Sequence, residues 1–260
     1  MNDSMMQQRT GMPIEQIHDS WHFDERQLEL LSSYEKAFVR NLLANPLDYY
    51  TRRLERIGMS SQKRVLDVAC GIGHWTTALS IVNASVCGID IATDRLMIAR
   101  SILQTFKCSN VKLSWGDMHA IPYPAHSFSS VFCHGALMFG HIPTVIREFA
   151  RVLEPGGRVY ANLNGFGWYL HLLVDRGIRK GNLAPCLMAL KAFLNALMLK
   201  KKYIPVTEKN IGNWFDAAGF RVEHIGPNGS MNQRTSNYRV GTLDSYYGFA
   251  GVMEVIATKC

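Results

Sequence analysis

VLDVACGIGHWT, residues 65–76, combines a short apolar strand, a turn that contains glycine and the start of a helix. The apolar run over residues 65–68 is followed by Gly71 and Gly73, which leave the backbone bare. Such a loop lets main-chain atoms approach a ligand closely. The stretch therefore predicts a cofactor site at the end of a buried strand.

Two common nucleotide sites do not fit this loop. A dinucleotide fingerprint needs glycine at three positions that hold Ala69, Gly71 and His74 here, so a single glycine is in place. A phosphate loop also needs a Gly-Lys-Ser/Thr sequence, which does not follow the strand. The loop favours a different cofactor.

Four stretches, in order along the chain, identify a family. VLDVACGIG resembles the first motif of class I S-adenosylmethionine-dependent methyltransferases, (V/L)LD-x-G-x-G-x-G. The stretches GIDIATDRL, WGDMHAIPYPAHSFSSVF and EFARVLEPGGRVY are similar to later motifs of the same family. The resemblance is close over residues 61–166 and looser outside them, and it implies S-adenosyl-L-methionine as the cofactor.

The order of apolar segments predicts an α/β fold. Strands are expected over residues 64–69, 85–90, 111–116, 130–134 and 158–163, with helices over 74–82, 93–106 and 143–153 between them. This alternation predicts a mostly parallel sheet with helices on both faces. A later helix over 207–218 precedes two strands, 221–225 and 251–258. The resemblance implies a Rossmann-like seven-stranded sheet in which those last two strands form a C-terminal antiparallel hairpin.

Segments outside this core predict the domain organisation. Residues 1–59 are expected to form an N-terminal helical lid, and residues 60–260 the S-adenosylmethionine-binding domain. Two substrate-side insertions, 164–206 and 228–248, follow strands whose carboxyl ends lie at the ligand-binding edge of an open sheet. The first insertion is expected to form a helical lid. A small pocket closed by lids suits a small molecule better than a polymer.

The matched motifs imply which residues bind the cofactor. They are Asp67, Ala69, Cys70, Gly71, Gly73, Asp90, Ile91, Arg95, Asp117, Met118 and Cys133. The resemblance implies that Asp67 faces the ammonium group, that Asp90 accepts both ribose hydroxyls, and that Asp117 accepts from the adenine amino group. Main-chain atoms of Ala69, Cys70 and Gly71 would approach the methionine part, and Met118 would offer a backbone N–H and an apolar edge.

Three positions depart from the family pattern. Ala69 replaces the first glycine, and its extra methyl group is tolerated there if its φ is negative. Ser129 stands where the family usually has Asp, and Arg95 where an apolar residue often flanks adenine. Each departure affects one detail of the site and leaves the fold prediction unchanged.

The end of the fourth strand supplies the residues closest to the transferred methyl group. CHGA, residues 133–136, occupies the place of the (D/N)PP(Y/F) motif of many amino methyltransferases, so an oxygen acceptor is favoured over a planar nitrogen. His134 is a candidate catalytic base or substrate-orienting residue, with a structural histidine as the alternative. His141 is a second candidate, for which a structural or cofactor-side role is favoured. Methyl transfer requires no acid–base pair, because the sulfonium methyl is already activated.

Charge is concentrated in the first insertion. Residues 164–206 contain seven Lys or Arg residues and one Asp, a net charge of +6 of the chain's +7. This charge favours an anionic substrate or an anionic membrane surface, with a solvated helix face as the alternative. Apolar residues at helical spacing lie between the charges and predict a lid helix that packs into the core or contacts something lipophilic: Leu187, Leu190, Leu194, Leu197 and Met198.

Composition agrees with a cytoplasmic enzyme. A chain of 260 residues with 47% hydrophobic content can bury one sizeable core. The N-terminus lacks the apolar core of a secretion signal, and six cysteines without C-x-x-C spacing favour neither zinc nor disulfides. No metal ion and no membrane-spanning segment are expected, although peripheral membrane contact is open. We expect a monomer or homodimer.

These observations predict an enzyme that transfers a methyl group to a small natural-product, sugar-type or lipid-like acceptor, anionic or amphipathic. Two alternatives remain open at this point. The basic insertion is compatible with RNA modification, although no RNA-binding module is recognisable and nucleic acid is disfavoured. An S-adenosylmethionine-binding regulatory partner without turnover would retain the same cofactor residues.

Overall fold

A computed structural model describes residues 21, 29, 33–198, 200, 202–232 and 245–260. The helices are α1 Ser33–Leu42, α2 Leu47–Arg56, α3 His74–Val82, α4 Thr93–Thr105, α5 Ile142–Val152, α6 Phe166–His171, α7 Leu183–Leu197 and α8 Glu208–Ala217. The strands are β1 Val65–Val68, β2 Val86–Asp90, β3 Val111–Trp115, β4 Phe128–Cys133, β5 Leu153–Asn164, β6 Phe220–Pro227, β7 Ser245–Tyr246, β8 Phe249–Ala250 and β9 Val252–Lys259. Most of the predicted N-terminal lid and the middle of the second insertion lie outside the described residues, so both remain predictions.

Seven strands form one sheet in the order β3-β2-β1-β4-β5-β9-β6. Strand β1 runs parallel to β2 and β4, and β2 runs parallel to β3. Strand β9 is antiparallel to both β5 and β6. The predicted fold class is therefore confirmed, including the antiparallel pairing of the last two long strands.

The described residues up to 123, together with residues 127–132, form the first of two compact units. Strands β1 and β2 are buried along their whole length, as expected for central parallel strands covered on both faces. Every residue of α3 is buried as well, because α2 packs against it. Asn83 joins these helices, since its side-chain amide donates to the carbonyls of Met59 and Leu79, both at 3.0 Å.

Ser129 lies on β4 in this unit, and its side chain forms hydrogen bonds with the backbone of Arg64. Its hydroxyl donates to the carbonyl oxygen of Arg64 and accepts from the amide of the same residue, both at 3.0 Å. The departure from the family's Asp therefore still ties β4 to the start of β1.

Residues 124–126 and the described residues from 133 onward form the second compact unit. Its sheet strands are β5, β6 and β9, and Val255, Ile256 and Ala257 of β9 are fully buried. The first insertion follows β5 as α6, a π-helical turn Leu172–Gly177, a 3-10 turn Ile178–Lys180 and then α7. Among the described helices, no segment has the length and apolar character needed to cross a membrane.

The two glycines of the loop after β1 are predicted to respond differently to alanine. Gly73 has a φ of +81°, and a Cβ there would lie 2.8 Å from the Cβ of Ala99 on α4. Gly71 has a φ of +55°, but a Cβ would meet no atom of the described residues within 4 Å. We expect Gly73→Ala to lower the free energy of unfolding by about 2–4 kcal/mol and Gly71→Ala by about 1 kcal/mol. Urea unfolding of both variants measures the difference, and equal losses would show that the contact with α4 is unimportant.

Candidate cofactor site and a buried polar cluster

The loop after β1 turns the chain sharply into α3. The amide of Cys70 still donates to the carbonyl of Ile89 on β2 at 2.9 Å, so this residue extends the sheet. The amide of Gly73 then donates back to the carbonyl of Cys70 at 3.0 Å. Because both Gly71 and Gly73 have positive φ, the reversal needs the conformational freedom that the sequence motif predicts.

Asp90 links this loop to the loop after β2. Its carboxylate accepts from the amide of Gly71 at 2.8 Å through Oδ2 and from the amide of Ala92 at 2.8 Å through Oδ1. The residue is 5% exposed. Each carboxylate oxygen has a further lone pair, so the group can accept additional hydrogen bonds while it holds both loops.

Asp67 is the second buried carboxyl group of the site. It lies on β1, is 2% exposed, and accepts a hydrogen bond from the Thr76 hydroxyl at 2.6 Å. Burial raises its pKa to about 7, the negative charge of Asp90 adds to the rise, and the bond from Thr76 opposes it. No role was predicted for Thr76 from the sequence. Its position on the first turn of α3, facing the motif residue Asp67, could have indicated this hydrogen bond.

Open space lies beside the backbone of Gly71, since a Cβ placed on this residue would have no atom of the described chain within 4 Å. The Cys70 side chain points away into the sheet, since its sulfur would lie 3.2 Å from a Cβ on Gly88. Burial raises the pKa of the Cys70 thiol well above its ordinary value, so the thiol stays protonated. The loop therefore offers backbone and space to a ligand.

Ala69 adopts a conformation that the sequence did not lead us to expect. Its φ is +58°, in the left-handed region, whereas the alanine was expected to be tolerated at a negative φ. The condition for tolerance, a negative φ, is therefore not met, and Ala69 keeps the glycine-like conformation of the family's first glycine. A non-glycine residue in this region is disfavoured by about 1–2 kcal/mol.

The remaining predicted cofactor residues of the first unit line the ends of β2 and β3. Asp117 follows β3, and its Oδ1 accepts from the amide of His119 at 2.9 Å and contacts His119 Nδ1 at 2.7 Å. Ile91, directly after Asp90, is 62% exposed, and its carbonyl accepts from the indole N–H of Trp115. Met118 is half-buried and Arg95 is exposed. Exposed apolar edges beside Asp90 suit a flat ring.

His74 is a feature of this site that sequence reasoning passed over. It is the first residue of α3 and is 8% exposed, yet neither ring nitrogen has a hydrogen-bond partner among the described residues. Burial lowers its pKa to about 3, so the ring is neutral. Buried polar atoms are nearly always satisfied, so an unsatisfied imidazole at the start of α3 is consistent with a polar ligand in this loop.

The predicted residues at the end of β4 belong to the second unit. Cys133 is fully buried, whereas His134 is half-buried and its ring stacks on Tyr160, with centroids 6.4 Å apart and planes 10° apart. The amide of the next residue, Gly135, donates to the side-chain oxygen of buried Asn162. Tyr160 and Asn162 are on β5, so this strand supports the His134 segment.

His141 is placed at a helix end. It is the N-cap residue of α5, it is exposed, and its Nδ1 lies 2.8 Å from the hydroxyl of Thr144. This position at the start of α5 is consistent with a structural role for His141. A catalytic role for His141 stays a prediction that this contact does not support.

A polar cluster around Glu254 was missed by the sequence analysis. Glu254 is fully buried on β9, and its carboxylate accepts from the Tyr160 hydroxyl and the Ser230 hydroxyl, both at 3.3 Å. Tyr160 also donates to Asn228 at 3.2 Å, and His224 lies 2.8 Å from the Ser230 hydroxyl. A single acid inside the apolar stretch GVMEVIAT was the available signal, because a buried carboxylate needs partners.

Part of this chain is similar in sequence to known proteins. Residues 65–157 match a family model described as a methyltransferase domain. A demethylmenaquinone methyltransferase from Geobacillus sp. (strain WCH70) is 32% identical over 114 residues, which cover 41% of this chain and 47% of that protein. The chain spans about half the length of the curated relatives it matches.

Solved structures share the fold at low identity. YcgJ from Bacillus subtilis is 19% identical with a TM-score of 0.54, over 81% of this chain and 98% of that chain. Magnesium protoporphyrin IX methyltransferase from Synechocystis PCC 6803, with bound SAH, is 16% identical with a TM-score of 0.54, over 82% of both chains. Residues 65–157 therefore match a methyltransferase domain, within a fold that the chain shares with solved methyltransferases.

The buried carboxyl of Asp67 is predicted to make stability depend on pH. Its pKa rises from 3.8 to about 7 on folding, so the folded state retains a proton that the unfolded state loses between about pH 4 and pH 7. Relative to Asp67→Asn, the wild type should lose up to about 4 kcal/mol of unfolding free energy as the pH rises from about 4 to about 7. No further loss is expected above about pH 7. Chemical unfolding of both proteins from pH 4 to pH 8 tests this, and a constant difference would contradict the assignment.

Proposed function

We propose that this protein transfers a methyl group from S-adenosylmethionine to a small, amphipathic acceptor. The observation that carries the proposal is the pair of buried carboxyl groups, Asp67 and Asp90, beside the open space at Gly71. A cation and a pair of hydroxyl groups are the ligand features that such groups bind best in a dehydrated site. S-adenosylmethionine has both features.

In this proposal, different residues of the chain bind different parts of the cofactor. Asp67 binds the ammonium group, and Thr76 keeps the Asp67 carboxylate oriented. Asp90 accepts from the ribose hydroxyls while its other lone pairs hold Gly71 and Ala92. The adenine lies between Ile91 and Met118, with Asp117 as acceptor for its amino group and Arg95 at its outer edge.

The bound cofactor supplies a methyl group already activated by its positive sulfur. The protein's part is to fix the cofactor, to align the acceptor atom with the methyl carbon, and to exclude water. None of these three tasks requires a paired acid and base. The rate enhancement in this proposal comes from orientation, which rigid strand ends supply better than long loops.

The acceptor we propose is lipid-like, with oxygen favoured as its reacting atom. Several relatives that share the core sequence are named demethylmenaquinone methyltransferase, which supports an amphipathic acceptor. The sequence CHGA at residues 133–136 lacks the motif of enzymes that methylate planar nitrogen. The proposal also includes a cytoplasmic location and a monomeric or homodimeric state.

We propose that His134 positions the acceptor or takes its proton. Its ring is held flat against Tyr160, and the Tyr160 hydroxyl is itself held by Asn228 and Glu254. This chain of contacts within the second unit restricts the His134 ring. A restricted imidazole is suited to a directional hydrogen bond.

The test of the proposed function is transfer of label from S-adenosyl-[methyl-³H]methionine. Purified protein is incubated with pools of quinones, phenolic lipids, sugars, free nucleosides and RNA. Label in a lipid-soluble small molecule is expected. Label in RNA would replace the small-molecule proposal, and tight cofactor binding without label in any pool would favour a regulatory protein.

Asp90→Ala is predicted to weaken cofactor binding. The variant removes hydrogen bonds to the ribose and the acceptor of the Gly71 and Ala92 amides, so we expect a loss of about 1–3 kcal/mol, roughly 5- to 150-fold in Kd. Asp94→Ala, four residues further along, changes the net charge equally and serves as the control, with less than about a threefold effect. Calorimetric titration with S-adenosylmethionine measures both, and equal Kd values would refute the role of Asp90.

His134→Ala is predicted to lower turnover by about 10²-fold while cofactor affinity changes little. His134→Phe is the matched variant, because it keeps an aromatic ring against Tyr160 and lacks the nitrogen atoms. Both variants should be equally slow if a ring nitrogen serves the acceptor. Recovery of turnover in the Phe variant would show that packing alone matters.

A further inference from the structure

Helix α7 buries two of its alanines and exposes all five of its leucines. Ala189 and Ala192 are buried, and Asn195 is 7% exposed. The outward residues recur at alternating intervals of four and three, which places them on one helix face: Leu183 69%, Leu187 56%, Leu190 50%, Leu194 57% and Leu197 79% exposed. The expectation that this stripe packs into the core is therefore wrong for the described part of the chain.

The rotation of α7 about its axis is fixed by contacts on its inner side. Ala189 and Ala192 pack with Tyr169 and Leu172, and Phe193 of the same helix packs against this cluster. The side-chain amide of Asn195 donates to the carbonyls of Lys202 and Tyr203, both at 3.4 Å. The leucines cannot turn inward without breaking these contacts.

Positive charge borders this leucine face. No Asp or Glu occurs between Asp175 and Glu208 in the sequence. Lys180 precedes α7, Lys191 lies on it, and Lys200 and Lys202 follow it, all of them exposed. Asp175 is already engaged by His171 and Arg179, so it does not offset these lysines.

We propose that α7 docks on the surface of an anionic lipid bilayer, with its five leucines among the upper acyl chains and the bordering lysines at the lipid phosphates. A helix of 15 residues is about 22 Å long, which is too short to span a bilayer and suits a position in the plane of the interface. A second copy of the chain is disfavoured, because a two-fold contact through α7 would bring lysines against lysines. Nucleic acid would bind the positive charge but would leave the leucine side chains exposed to water.

The docking surface goes beyond the proposed function and does not depend on it. Its measurement is binding of the full chain to vesicles, with no cofactor and no turnover required. If methyl transfer fails while docking holds, the proposed function alone is wrong. If docking fails while methyl transfer holds, the inference about α7 alone is wrong.

The experiment is vesicle co-sedimentation of the full chain with phosphatidylcholine alone and with added phosphatidylglycerol. We expect binding to the anionic vesicles that weakens with salt and is much weaker on phosphatidylcholine alone. The double variant Leu190→Gln and Leu194→Gln should reduce binding by about tenfold or more. The control Met97→Gln, which removes a side chain 50% exposed on α4 in the first unit, should bind as the wild type does.

Two results would overturn the proposal. One is absence of binding to the anionic vesicles, and the other is unchanged binding by the Leu190→Gln and Leu194→Gln variant. Circular dichroism confirms that the variant is folded. Analytical ultracentrifugation of both proteins detects a dimer that the variant dissolves, and such a dimer would assign the face to a second copy instead.

Discussion

The carboxylate of Asp90 is the interaction on which the ligand edge of the first unit depends. It receives the amide of Gly71 from the loop after β1 and the amide of Ala92 from the loop after β2, each at 2.8 Å. Because β1 and β2 are parallel and in register, these loops leave the sheet at the same edge. Without an acceptor between them, two partly buried backbone N–H groups would lose their partners. The same carboxylate is therefore a structural link as well as the proposed ribose acceptor, so we expect a change at Asp90 to alter loop geometry together with binding.

The core of the fold could be predicted because its signals are local and agree with one another. Short apolar runs gave each parallel strand, and helical segments lay between them at the spacing of βαβ units. The motif at residues 65–76 located the loop and its two glycines with positive φ. The antiparallel partner of β6 came from family resemblance, since periodicity alone does not fix which distant strands pair.

Three features could not be predicted, each for its own physical reason. Alanine has no intrinsic preference for positive φ, so the conformation of Ala69 follows from the turn and not from the residue. The leucine stripe of α7 has the same spacing whether it faces the core or solvent. The inward side is instead occupied by Ala189, Ala192 and Phe193, which pack with the distant residues Tyr169 and Leu172. The polar cluster of Glu254 joins residues nearly a hundred positions apart, such as Tyr160, so no local pattern contains it.

Asp67 shows how a group that weakens the fold can serve a site. Burial raises its pKa to about 7 and the charge of Asp90 contributes to that rise, so ionising Asp67 in the folded chain is unfavourable near neutral pH. The hydroxyl of Thr76 offsets part of this effect and fixes the carboxyl in place. A ligand that brings a cation to Asp67 favours the ionised form, because opposite charges attract strongly where water is excluded. In the proposed site, free energy lost to desolvation in the fold would be recovered in part on binding, and the site would then select a positively charged ligand over a neutral one of the same shape.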